Sequence, residues 1–178
     1  TYFGTVDGTF RMLSQDEINY SILASIGGAI AWIFKPLGWG NWQAVVASIT
    51  GLIAKENIVG TLGILYGGGD GSVYSNLASA FTPITAYSFL VFNLLCAPCF
   101  AAIGAIKREM NNAGWTWFAI GYQCGFAYVI ALMINQFGNL FTGNANLLGV
   151  VAAAAFLAGM VYMLFKPYKE AAKLSAKP

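Results

Sequence analysis

Val150-Val151-Ala152-Ala153-Ala154-Ala155-Phe156-Leu157-Ala158 runs without a polar side chain and without any apolar–polar alternation. A membrane β-barrel strand would alternate with period two, so this run belongs to a helix, and it sits inside a longer apolar stretch, residues 147–165. Four more apolar stretches precede it, at 18–34, 42–66, 83–106 and 115–136. A helix needs about 20 predominantly apolar residues to cross a hydrocarbon core. Across the chain, 58% of residues are hydrophobic and 9% charged, against roughly 25% charged in an ordinary soluble domain. These features predict an all-α, polytopic membrane bundle of about five membrane-embedded helices, with at least one of them broken or kinked.

The break is expected at Cys96-Ala97-Pro98-Cys99. Pro98 has no backbone N–H and its ring crowds the preceding turn. The first stretch is short for a full span, carries Gly27-Gly28 and stops at Lys35-Pro36, which suits a tilted, half-buried or re-entrant segment. Trp39 and Trp42 read as interface aromatics. Residues 1–17 are mixed and polar and read as an extracytoplasmic loop or linker, with Ser14 as an N-cap for the first helix. Gly67-Gly68-Gly69-Asp70-Gly71 reads as a turn, since no Gly-Lys-Ser or Gly-Lys-Thr follows it. Residues 166–178 read as a basic cytoplasmic tail.

With five spans and that tail in the cytoplasm, Lys35, Lys107, Arg108, Lys166, Lys169, Lys173 and Lys177 fall inside, Arg11 falls outside, and Lys55 lies within the membrane. The loops at 67–80 and 137–146 carry no Lys or Arg, as the positive-inside rule expects of the far side. The start at Thr1 has no initiator Met and no basic signal-peptide region, which suggests a piece of a longer chain. The net charge of +2 is scattered and gives no reason to expect nucleic acid as a partner.

Histidine is absent, removing the commonest metal ligand and general base, and no nucleophile has an adjacent base. An enzyme is not expected in this chain. Three cysteines, an odd number in apolar surroundings, read as free thiols. Lys55-Glu56 interrupt the second stretch, and an ionisable residue inside a membrane segment points to a functional site. Neighbours on a helix point about 100° apart, so the two are poorly placed to pair with each other. Gly51 and Gly60 allow the helix to unwind there, and Thr50 and Asn57 add polar groups. Glu56 can line an ion pathway, or Lys55 can simply anchor a neighbouring helix end. Cys96 and Cys99 present sulfur beside carbonyls freed by Pro98, a donor set suited to a transition metal, and broken helices are where transporters place their substrates. Both cysteines can equally be small apolar packing residues. Cys124, in Gly121-Tyr122-Gln123-Cys124-Gly125, reads as helix packing.

Asn41-Trp42-Gln43-Ala44, Thr50-Gly51 with Ala54-Lys55-Glu56, Val59-Gly60-Thr61-Leu62-Gly63 with Leu65-Tyr66, Phe81-Thr82-Pro83, and Pro98-Cys99 followed by Ala105-Ile106-Lys107-Arg108-Glu109 together resemble the membrane domain of the ferrous iron transport protein B (FeoB) family, over roughly residues 18–136. The resemblance implies a Gate-type helical domain over 18–165, in a multi-pass protein of the bacterial inner membrane that carries Fe(II) into the cytoplasm. It also implies a GTP-binding domain, with its Mg, in an N-terminal part of the whole protein, together with earlier membrane helices. Small accessory iron-transport proteins are implied partners, besides lipid and a homo-oligomer. No covalently bound cofactor is implied. Pro98-Cys99 corresponds to the later Gate segment, and Lys55 and Glu56 also fit the family pattern. Cys96 stands where an aromatic is usual, Asn57 where an aliphatic is usual, and Trp32 where a proline is frequent. A nucleoside carrier of the same fold, or a non-conducting oligomerisation and anchoring module built on small-residue stripes, are the alternative functions.

Overall fold

The computed structural model describes residues 3–6, 9–12, 20–67, 72–97, 99–143 and 146–166. Helices dominate them: α1 (Ile22–Phe34), α2 (Trp42–Gly51), α3 (Asn57–Leu65), α4 (Val73–Ala80), α5 (Pro83–Leu95), α6 (Phe100–Met110), α7 (Ala113–Phe141) and α8 (Leu147–Phe165). The expected Ser14 cap, the Gly68–Gly71 part of the turn, Pro98 and the tail beyond Lys166 lie outside the described residues.

Among the described residues, three apolar helical stretches are long enough to cross a membrane, namely Pro83–Met110, Ala113–Phe141 and Leu147–Phe165. A fourth is formed if Ile22–Leu37 and Trp42–Gly51, which meet at a 97° bend, count as one broken span or a re-entrant loop. The polytopic helical reading therefore holds, with three or four candidate crossings among the described residues. The second stretch, 42–66, is not a single helix. It splits into α2 of 10 residues and α3 of 9 residues, each only about 15 Å long at 1.5 Å per residue.

Two more elements depart from expectation. Residues read as loop at the N-terminus contain an antiparallel hairpin, β1 (Phe3–Val6) with β2 (Thr9–Met12), in the register Val6↔Thr9. Asp7-Gly8 between two β-prone runs is the sequence signal for such a pairing. The segment after the glycine-rich turn contains α4, only eight residues long. The first helix starts later than residue 18: Ser21, fully buried, caps it by accepting from the Ala24 N–H at 3.1 Å.

The bend between α1 and α2 builds the core. Lys35–Leu37 form a 3-10 turn closed by Gly38 at φ +90°, a conformation only glycine adopts without cost. The bend tips Leu37 and Trp39 inward, where Trp39 is 1% exposed. Trp39 stacks on Phe34 (4.6 Å between ring centroids) and meets Phe89 edge-on at 5.0 Å. Trp39 is thus a core residue and not an interface aromatic. Backbone carbonyls freed by such a bend cannot be left bare at membrane depth, and α5 and α7 supply the donors. Tyr128 Oη donates to Ile33 O at 2.7 Å, Gln136 Nε2 and Asn135 Nδ2 donate to Pro36 O at 2.8 and 3.1 Å, and Ser88 Oγ donates to Leu37 O at 3.2 Å. A short apolar loop is thereby fixed as a rigid corner.

Candidate functional site: two helix breaks held against each other

The turn between α2 and α3, residues 52–56, is held by short-range bonds. Leu52 N donates to Ile49 O, Ile53 N to Thr50 O and Asn57 N to Ala54 O, at 3.1, 3.1 and 2.9 Å. Lys55 and Glu56 therefore lie in a turn and not on a continuous helix. Thr50 Oγ1 and Thr61 Oγ1 are 3.0 Å apart and tie the two short helices across the turn. Gly51 lets them close: a Cβ there would sit 2.5 Å from Ile58 Cγ1.

The second break separates α5 from α6. The last helical bond of α5 runs from Cys96 N to Phe92 O at 2.8 Å, Cys96 then turns to extended backbone, and Cys99 stands at the N-cap of α6 without a side-chain capping bond. Had the helix continued, the residue at 98 would have donated to Leu94 O, but proline has no N–H to give. Lys55 fills that role, its Nζ donating to Leu94 O at 2.9 Å. A cation at a helix C-terminus also complements the helix dipole. In the other direction Phe100 N donates to Leu52 O at 3.2 Å. Each break thus supplies a donor to a carbonyl of the other, and the two segments singled out in the sequence are brought face to face.

Beside this junction lies a cavity of about 240 Å³, walled largely by apolar groups and including Ser48, Lys55, Asn93, Cys96 and Cys124 among its lining residues. Cys96 Sγ lies 3.5 Å from Cys124 Sγ of α7. Of the sequence-predicted residues, Gly51, Lys55 and Cys96 line the cavity. Thr50 and Cys99 are half-buried, whereas Glu56, Asn57 and Gly60 are exposed. Gly60 faces open space, so nothing among the described residues requires a glycine there. Cys124, Asn93 and Ser48 were not anticipated as a group, because no spacing connects residues so far apart in the chain. Among the described residues no three Cys, Asp or Glu side chains converge in a way that would hold a metal ion.

A multi-pass helical membrane domain whose short, interrupted helices meet at a polar junction is of the kind found in transporters. The chain belongs to the Gate family, described as "Nucleoside recognition", whose pattern it matches over residues 11–113. Relatives carry a more specific name. It is 45% identical over 122 residues to the Fe(2+) transporter FeoB of Methanocaldococcus jannaschii, covering 67% of this chain and 18% of that protein. To the Fe(2+) transporter FeoB of Staphylococcus aureus (strain COL) it is 38% identical over 125 residues, 70% of this chain and 19% of that protein. A Porphyromonas gingivalis protein named as a fusion of Fe(2+) transport protein A and FeoB is 31% identical over 145 residues, 72% of this chain and 17% of its own length. The chain thus spans less than a fifth of the length of these relatives. No solved structure matches it.

Proposed function

We propose that this chain is the membrane-embedded gate of a ferrous iron permease, and that Fe(II) passes along the Glu56 and Cys99 side of the apposed breaks. The observation that supports the reading is the mutual pairing of the breaks through Lys55–Leu94 and Phe100–Leu52; Glu56 and Cys99 are the chain neighbours of the two donors, Lys55 and Phe100. The names of its relatives supply the ion. The cavity on the Lys55 side is a poor path for a divalent cation. A +2 ion about 5 Å from that ammonium is opposed by roughly 7 kcal/mol at an effective dielectric of about 20. Glu56 is exposed in this chain, and further ligands come from parts of the whole protein beyond it. Those parts include a GTP-binding domain with its Mg and the earlier helices. The fused relative supports a small accessory iron-transport protein as a partner.

The three long apolar stretches also support an orientation that does not depend on how the α1–α2 bend is counted. Lys107 and Arg108 at the end of α6 and Lys166 after α8 share one side in this reading, since α7 crosses away from it and α8 returns. By the positive-inside rule that side is the cytoplasm, in a bacterial inner membrane.

In the intact protein, Cys99→Ala and Glu56→Ala each lower Fe(II) uptake while membrane insertion is unchanged. Normal uptake in both variants would remove the site assignment. The family description raises nucleoside transport as the other outcome: competition of uptake by nucleosides, and not by other divalent cations, would establish it.

A further inference from the structure

We infer that Cys96 and Cys124 form a reversible disulfide under peroxide, an oxidative modification site that locks the α5–α6 break. The two sulfurs come from different helices and are 3.5 Å apart. A disulfide needs about 2.05 Å, so roughly 1.5 Å has to be closed, a distance within reach of side-chain rotation with a slight backbone shift. Both side chains line the same cavity of about 240 Å³, which has room for several molecules the size of water or peroxide at about 30 Å³ each. Cys99, the other cysteine of the break, is not among the residues lining that cavity.

The chemistry balances in two steps. One thiol is oxidised by hydrogen peroxide to a sulfenic acid with release of water. The second thiol then displaces hydroxide from that sulfur, forming the S–S bond and a second water. A dithiol reductant reverses the sequence by exchange. Cys96 is the last residue before the break, directly after α5, and Cys124 is in the interior of α7. The bond therefore ties the junction of two short helices to the longest helix of the bundle. A gate that works by rearranging that junction stops when it is tied.

The test uses the intact protein in membrane vesicles, exposed to hydrogen peroxide, alkylated and digested for mass spectrometry. The expected product is a peptide pair bridged between Cys96 and Cys124 that disappears on treatment with dithiothreitol. Recovery of the two cysteines separately alkylated, or a bridge from Cys96 to Cys99, would overturn the assignment. The locking role rests on the transport reading and is scored by the ratio of Fe(II) uptake with and without peroxide. That ratio falls severalfold in the unaltered protein, recovers with dithiothreitol, and stays near one in Cys124→Ser. A ratio near one in the unaltered protein with the bridge formed overturns the locking role alone. Absence of any Fe(II) uptake before oxidation overturns the transport reading, while the bridged peptide still decides whether the disulfide forms.

Discussion

Lys55 Nζ donates to Leu94 O at 2.9 Å, and Leu94 is the residue whose carbonyl a helical donor at position 98 would have satisfied. The proline and the lysine are thus two halves of one arrangement, 43 positions apart in the chain. A hydrogen bond from a charged donor contributes about 1.5–3 kcal/mol. Lys55→Met is expected to destabilise the protein by that order in thermal unfolding in detergent. In a Pro98→Ala background the restored N–H competes for the same carbonyl, so the cost of Lys55→Met shrinks. Equal costs in both backgrounds, read as a double-mutant cycle, would show that the lysine acts elsewhere.

Much of this arrangement was legible residue by residue, and the gaps have physical causes. The α5–α6 break follows from Pro98 alone, since a missing donor and a ring clash act locally. The two C-terminal spans follow from uninterrupted hydropathy, and α8 runs over the expected residues, Leu147–Phe165. The α2–α3 turn was only partly legible: Gly51 and Lys55-Glu56 marked where a helix could unwind, but Leu52-Ile53-Ala54 is as apolar as a helix, so the stretch read as one span. Helix α4, at eight residues, is too short to register as a periodic pattern. Burial of Trp39 depends on Phe34, Phe89 and Phe92 arriving from two helices, and the Cys96–Cys124 approach likewise exists only in three dimensions. Local chemistry was readable, whereas pairing across elements was not.

The two glycines expected to loosen the second stretch have opposite surroundings. A methyl group at Gly51 meets Ile58 Cγ1 and Cδ1 at 2.5 and 2.6 Å, whereas at Gly60 it meets nothing within 4 Å. Gly51→Ala should therefore push α3 from α2 and cost about 1–3 kcal/mol, in the range for overpacking. Gly60→Ala should be neutral or stabilising by up to about 1 kcal/mol, the helix-propensity gain over glycine. Unfolding midpoints of the two variants check the sign directly. A destabilised Gly60→Ala would mean that a further segment of the whole protein packs there.

Trp39 is buried with its indole Nε1 lacking a partner among the described residues. An unsatisfied buried donor costs about 1–3 kcal/mol, so Trp39→Phe removes a penalty as it removes volume. Its net effect is expected to be within about 1 kcal/mol of zero, the sum of those opposing contributions. Trp39→Ala removes the stacking with Phe34 and the edge contact with Phe89 and is expected to cost about 3–5 kcal/mol. Equal losses in the two variants would mean that the indole nitrogen is satisfied in the intact protein.

The Pro36 carbonyl at the corner between α1 and α2 accepts from both Asn135 and Gln136. Either donor alone is enough to keep that oxygen from being bare, so the two should cover for one another. Asn135→Leu and Gln136→Leu are each expected to cost on the order of 1 kcal/mol, the net worth of one such bond. The double variant leaves the carbonyl without a donor in an apolar setting, and its cost should exceed the sum of the singles by about 1–2 kcal/mol, as groups sharing a partner couple. The chain can then relieve the bare carbonyl only by opening the 97° bend, which draws Leu37 and Trp39 out of the core. Tryptophan fluorescence shifted toward the polar range in the double variant alone would report that opening, while strictly additive costs with unchanged fluorescence would show that the corner is held by aromatic packing rather than by these two amides.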